Sequence, residues 1–368
     1  MMSEPIRVLQ VFGRLDRGGA ETFIMNVYRN IDRSKVQFDF IVHTADKCAY
    51  DDEITALGGR IFRVPRYNGK NHFRYKKEWN LFFRQHTEYK IIHAHIRSTA
   101  AIFLNIAKKY GLVTISHSHN DSSGKGFSAT IKNILQYSLR NIADFLFACS
   151  KQAGEWLYGK KACAKKNFHV IPNAIDTEKF IYDPVARESK RKELSLENKF
   201  VVGHIGRFDT QKNHDFIVNI FEKIYRKNNK AVLLLVGDGT LRSKIEQKVE
   251  TFGLKDNVIF AGVRSDVPDL LNTMDVFLFP SLWEGFGIVL LEAQATGLRC
   301  VVSDVVSQEV KITKLLECVS LEKSASHWAD KVLAYVDGYE RKNMQQEIGE
   351  SGFDIQEVAK WLENFYIK

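Results

Sequence analysis

Nothing in the 368 residues is long and apolar enough to span a bilayer: the longest apolar stretches, such as Ala231 to Gly237, have the length of a buried strand. The first strand-like run, Ile6 to Phe12, carries no cleavage-site pattern of an export signal, so a cytoplasmic location is expected. Cysteines number only five (Cys48, Cys149, Cys163, Cys300 and Cys318), and they are scattered, never spaced as metal pairs. They read as buried or incidental thiols. No Gly-x-Gly-x-x-Gly follows the first strand, which argues against a dinucleotide oxidoreductase. No Asp-x-Asp element sits in a loop suited to a divalent metal. The net charge of +9 comes without a nucleic-acid-binding signature, and the basic residues are spread along the chain. Anionic membrane surfaces or phosphorylated partners are then the favoured contacts.

What is present is an ordinary folded composition, 45% hydrophobic and 26% charged, on a chain longer than one core usually organises. Two α/β domains are expected. Strand patterns recur at 6–12, 38–42, 60–64, 91–95, 113–117 and 143–150, with helix-length segments between most of them, one from Ser128 to Asn141, and residues 168–176 close the first domain. Residues 177–198, charged and containing Pro184, read as a linker. The pattern restarts at 200–207, 231–236, 258–267, 276–279 and 299–304. The expected organisation is therefore 1–176, a linker over 177–198, a second domain over 199–352, and a last helix over 353–368. That helix has Ile355, Val358, Ala359, Leu362 and Phe365 at helical spacing.

The stretch around which the chain is organised runs from Phe279 to Ala293. An apolar strand stops at Pro280, a glycine-bracketed loop follows, and a helix pattern begins near Ile288. The unpaired N–H groups of a first helical turn attract phosphate or electron-rich hydroxyls. Glu284 and Glu292 frame that turn, and a carboxylate accepts two hydroxyl hydrogen bonds at once, which suits the vicinal diol of a ribose or hexose. Carboxylates suit polyphosphate badly, so a cation should stand nearby. Arg207 and Lys212, in the loop after the strand at Phe200–Ile205, supply it. The ligand implied is a nucleotide-diphosphate sugar; the competing reading is four ordinary surface charges.

The pair Gly206-Arg207-x4-Lys212 and Glu284-Gly285-Phe286-Gly287 with Glu292 resembles the family 4 glycosyltransferases, above all those of bacterial exopolysaccharide and capsule synthesis. The resemblance implies a GT-B fold of two Rossmann-like parallel-sheet domains facing a central cleft, with the C-terminal helix returning to the first. It implies retention of anomeric configuration without a divalent metal or other cofactor. The nucleotide-diphosphate sugar, with UDP the leading base, is the co-substrate, and the acceptor is a glycan or polyprenyl-linked glycan. Arg207 and Lys212 would neutralise the departing diphosphate, Glu284 with the Phe286 and Gly287 backbone would hold the hexose, and Glu292 the ribose. Gly18 and Gly19 resemble the family's glycine loop near the donor phosphates, Gly237 part of the nucleotide pocket, and Val263 and Arg264 the turn that reads the base. Glu284 is not assigned as a nucleophile, because family members react on one face of the sugar without a covalent intermediate. The usual proline after Gly297 and the glycine pair before Glu309 are missing, which weakens inference about the donor from that loop.

Two histidine pairs, His93 with His95 and His117 with His119, end neighbouring strands, and alternation puts both members of a pair on one face. Zinc would be unusual with four histidines and no acids at metal spacing. The family places one histidine here against the transferred sugar, and either His117 or His119 fits. Residues 60–90 are the most basic and aromatic in the chain: either Trp79, Phe82, Phe83 and His86 form the docked face of an amphipathic helix, or the segment meets lipid headgroups beside a lipid-linked acceptor. Two other functions stay open: an epimerase of the same architecture, or a non-catalytic nucleotide-sugar-binding protein.

Overall fold

The structure, a computed structural model, describes residues 4–97, 99–119, 136–284 and 286–368. Most of the helix expected over 128–141, and Gly285, lie outside the described residues. The chain divides into two compact units, Met1–Ala174 with Gly352–Lys368, and Ile175–Ser351.

The first unit is a parallel sheet of seven strands, β1 (Ile6–Phe12), β2 (Val36–Val42), β3 (Ile61–Arg63), β4 (Ile91–Ala94), β5 (Val113–Ser118), β6 (Phe145–Ala148) and β7 (Phe168–Val170), in the order β3-β2-β1-β4-β5-β6-β7. Both faces are covered, as parallel sheets require. Val8 and Phe12 of β1 join one core with helices Gly19–Asn30 and Ile355–Ile367; Leu9 and Val11 join the other with helices His72–Gln85 and Ala100–Lys109. The returning helix buries Ile355, Val358, Ala359, Leu362 and Tyr366, positions that recur every three or four residues, so one stripe meets the core. Asp354 caps it, accepting the Gln356 N–H at 2.7 Å.

The second unit is a parallel sheet of six strands, β8 (Phe200–Ile205), β9 (Ala231–Val236), β10 (Val258–Gly262), β11 (Val276–Phe279), β12 (Arg299–Ser303) and β13 (Leu316–Val319), in the order β10-β9-β8-β11-β12-β13. The sheet is wound outward in both directions from the β8/β11 pair. Such a switch point opens a crevice at the carboxyl ends of the two strands, where ligands bind. The β1/β4 pair is the equivalent point in the first unit.

One expectation is corrected, and one strand went unforeseen. Residues 177–198 are not a spacer: they carry helix Pro184–Glu193, part of the second unit, begun by proline and capped by Asp183, which accepts the N–H groups of Val185 and Ala186. Its cations are neutralised there, Lys190 by Asp266 (3.0 Å) and Arg187 and Arg191 by Asp275 (2.5 and 3.2 Å). Strand β13 was not expected either; as the edge strand it is short, with Glu317 and Cys318 only partly buried.

Candidate functional site

Four loops at the carboxyl edge of the second sheet are tied to one another through their backbones. Gly206 donates its N–H to Val236 O (2.9 Å), Phe208 to Asp238 O (3.0 Å), and Gly237 to Gly262 O (2.8 Å). Gly237 has φ +130, and a Cβ there would lie 2.2 Å from Gly206 O, so only glycine allows this approach. The β8 loop is tied to the β11 loop in turn, with Leu282 N–H to Gln211 O (2.9 Å) and Asn213 Nδ2 to Pro280 O (3.0 Å). The structure thus gathers Arg207, Lys212, Gly237, Val263, Arg264, Glu284, Phe286, Gly287 and Glu292 onto the ends of β8, β9, β10 and β11 and the segments that follow them.

Within this group the charges are not equivalent. Lys212 Nζ lies 2.5 Å from Glu284 Oε2 and 4.6 Å from the Phe279 ring centre, and Gln211 Nε2 donates to Glu284 Oε1 (3.1 Å). Sequence reasoning gave Lys212 and Glu284 separate partners; the structure gives them each other. Arg207 is exposed and has no ion-pair partner among the described residues. Gly287, at φ +74, precedes helix Ile288–Ala295 and turns the first helical N–H groups toward this loop. Phe286 is buried beside it. Seven of the eight residues of that helix are buried, two of them polar. Gln294 is satisfied, donating to Leu290 O and Val310 O and accepting from Thr313. The Glu292 carboxyl has no hydrogen-bond partner among the described residues, and burial pushes it up to about 7. Val263 is 60% exposed, while Arg264 is held by Asp266 (Nε to Oδ1, 2.8 Å).

In the first unit the β1 loop leads into helix Gly19–Asn30 through Gly18, in extended conformation. A Cβ at Gly19 would meet nothing within 4 Å, so this helix start faces open space. The histidines form a buried group that sequence reasoning saw as pairs but not as a connected set. His93 Nδ1 is 2.7 Å from the Tyr366 hydroxyl and its Nε2 3.1 Å from His117 Nδ1; His95 Nε2 is 2.8 Å from Gln10 Oε1 and its Nδ1 2.8 Å from His119 Nε2. Burial, reinforced by neighbouring imidazoles, holds His93, His95 and His117 well below the ordinary imidazole range, and burial pushes His119 down to about 3. The rings are neutral at pH 7. His93, His95 and His117 each bring a ring nitrogen within 4.8 Å of the others, the proximity a metal would need, but ring nitrogens of all three already face hydrogen-bond partners. The signal that could have exposed the group was the shared two-residue spacing on adjacent strands. Gln10 and Tyr366 gave none.

On helix His72–Gln85, Tyr75, Trp79, Phe82 and Phe83 are buried, and His86 beyond it is partly so. These aromatics form the docked face. The opposite face shows Phe73, 86% exposed, among Lys70, Arg74 and Lys77.

The model of the Glycosyltransferase Family 4 matches residues 17–179, and that of the Glycosyl transferases group 1 matches residues 185–352. The chain is 34% identical over 374 aligned residues to EpsF of Bacillus subtilis (strain 168), whose name assigns it provisionally to the glycosyltransferases; the match covers 100% of this chain and 97% of that protein. It is 31% identical over 230 residues, 59% of this chain and 58% of the relative, to the UDP-Gal:alpha-D-GlcNAc-diphosphoundecaprenol alpha-1,3-galactosyltransferase of Escherichia coli. Among solved structures, HepE of Anabaena in complex with UDP and glucose superposes with a TM-score of 0.81 at 18% identity, covering 98% of this chain and 99% of that one.

Proposed function

The chain belongs to glycosyltransferase family 4 and is a transferase, and from that premise we propose that it moves a hexose from a UDP-sugar to a glycan or polyprenyl-diphosphate-linked acceptor in surface polysaccharide synthesis, with retention and without a divalent metal. The observation that carries the reading is the Lys212–Glu284 pair at the β8/β11 switch point, beside the helix start at Gly287 and Arg207, which has no ion-pair partner among the described residues. Charge grows on the diphosphate oxygen as the glycosidic bond breaks, and cations fixed there stabilise that state. On donor entry Lys212 exchanges its carboxylate for the diphosphate. Glu284 is thereby freed to accept hydroxyls of the hexose. Arg207 adds the second positive charge, the N–H groups after Gly287 add dipoles, and Glu292 takes the ribose diol, whose hydroxyls favour its ionised form. Gly18 and Gly19 let backbone come close to the donor phosphates. Val263 and Arg264 meet the base through their turn, and His119 meets the transferred sugar. His119 is preferred over His117 because it follows β5 at the strand's carboxyl end, whereas His117 lies within the strand and is wholly buried.

The named donor and acceptor of the Escherichia coli relative, and the UDP and glucose bound to HepE, support a UDP-sugar and a lipid-linked acceptor. An acceptor of that kind resides at a membrane surface, which suits the basic face around Phe73 on the cytoplasmic side. The test is UDP, GDP, ADP and TDP release from the corresponding sugars with chelator present, and the anomeric configuration of the product by NMR. Donor turnover only after adding a divalent metal, or an inverted product, would refute the mechanism.

A further inference from the structure

Helix Pro184–Glu193 meets the turn after β10 from a fixed footing. Arg187 donates to Asn272 O (2.7 Å) and Met274 O (2.9 Å) and pairs with Asp275 (2.5 Å). Asp275 in turn accepts the N–H of Val201 in β8 (2.7 Å), so the helix is anchored to a central strand. From that footing Lys190 lies 3.0 Å from Asp266 Oδ2 and 2.7 Å from Glu193 Oε2. Asp266 also takes both arms of the Arg264 fork, Nε at 2.8 Å and Nη2 at 2.5 Å, and Glu193 stands 4.0 Å from the same guanidinium. Four charges therefore close a ring between elements 76 positions apart.

The ring takes a cap away from a helix. Asp266 stands at the N-cap of helix Val267–Thr273, where an aspartate ordinarily accepts the N–H groups of the first turn, as Asp183 and Asp354 do for their helices. The Asp266 carboxylate accepts none of them. It is committed to Arg264 and Lys190 instead. The start of the turn is held as well, since Gly262 O accepts the Gly237 N–H (2.8 Å). Between the two anchors stands Val263, whose exposed side chain gives the turn little packing of its own.

We propose that Lys190 and Asp266 are positioning residues for base recognition: they hold the turn of Val263 and Arg264 so that its backbone presents one fixed order of donor and acceptor, with the Arg264 side chain as a strut. The role rests on the reading above, in which this turn meets the base. Uracil offers an acceptor at O4 beside a donor at N3, and cytosine offers the reverse at the same size. A fixed backbone separates the two, and a loosened one adapts to either.

Calorimetric dissociation constants for UDP and CDP test this, and the wild-type protein is expected to prefer UDP. Lys190→Met and Asp266→Asn should each lower that preference roughly tenfold, the worth of one misaligned hydrogen bond. Lys190→Arg should keep most of it. Lys331→Met, which breaks a pair with Glu317 (2.7 Å) outside the ring, should leave it unchanged. An undiminished preference in both Lys190→Met and Asp266→Asn would overturn the proposal. So would an equal fall in Lys331→Met, which would mark a general loosening of the unit. A wild-type protein that binds UDP and CDP alike would instead strike down the base contact at this turn, and the role with it.

Discussion

After β8, β10 and β11 of the six-stranded sheet stand charged side chains, two of them held in pairs, Lys212 with Glu284 and Arg264 with Asp266, whereas β4 and β5 of the seven-stranded sheet end in imidazoles kept neutral by burial. The winding of the two sheets is alike, so topology decides where a ligand can approach but not how it is held. The charged edge suits a diphosphate whose charge changes during reaction. The neutral edge would suit hydroxyls, for which a fixed donor or acceptor is enough and a charge would be a liability.

The difference should be largest in acid. His43, His93, His95, His117 and His119 in the first unit, against His204 and His214 in the second, are all depressed below the ordinary imidazole range, chiefly by burial. The unfolded chain takes up protons near pH 6.5 that the folded one refuses, so this stability is present above 6.5 and is lost as pH falls below it. At about 1.4 kcal/mol per imidazole and pH unit, the first unit should lose several kcal/mol between pH 6.5 and 5. Hydrogen exchange resolved along the chain should show its amides losing protection before those of the second; equal loss would break the contrast. On the charged edge, Lys212→Ala should cost roughly 10²-fold in kcat with the fold intact, and Arg207→Ala a comparable factor. Near-wild-type donor turnover in both would remove the diphosphate site.

Glu292 sharpens the comparison, because it is a charged-edge residue with a neutral-edge environment. Its folded carboxyl, raised to about 7, prefers the proton, so its contribution to stability is present below the ordinary glutamate range and is lost as pH rises through 7. Glu292→Gln should therefore raise unfolding stability on the order of 2 kcal/mol at pH 8 and little at pH 5, while weakening nucleotide binding. A pH-independent change would mean that the carboxyl is not the group responsible. Smallest of all, Phe73→Ser should alter stability by less than about 0.5 kcal/mol, since that side chain packs on nothing buried. It should still lower sedimentation with anionic vesicles, and unchanged sedimentation would remove the membrane contact.

Much of this was legible in the sequence, for local reasons. Strands such as Ala231–Val236 are unbroken apolar runs, and Arg207, Lys212 and Glu284 stand out because glycine and proline mark the ends of the strands before them. The helix Pro184–Glu193 was hidden because its cations look solvated until Asp266 and Asp275 are folded against them. The Lys212–Glu284 pair and the Gln10–His95 contact join residues more than seventy positions apart, and no periodicity carries such a pairing.

The helix that closes the core of the first unit is encoded after the whole of the second. As the chain emerges from the ribosome, the sheet built first must wait, with one side of its core open beside Phe38 and His93, while the sheet built second is complete and able to fold. The order of synthesis and the order of completion are therefore reversed. It is the half with most of the buried imidazoles that spends longest exposed, and that half is where a chaperone would be expected to bind.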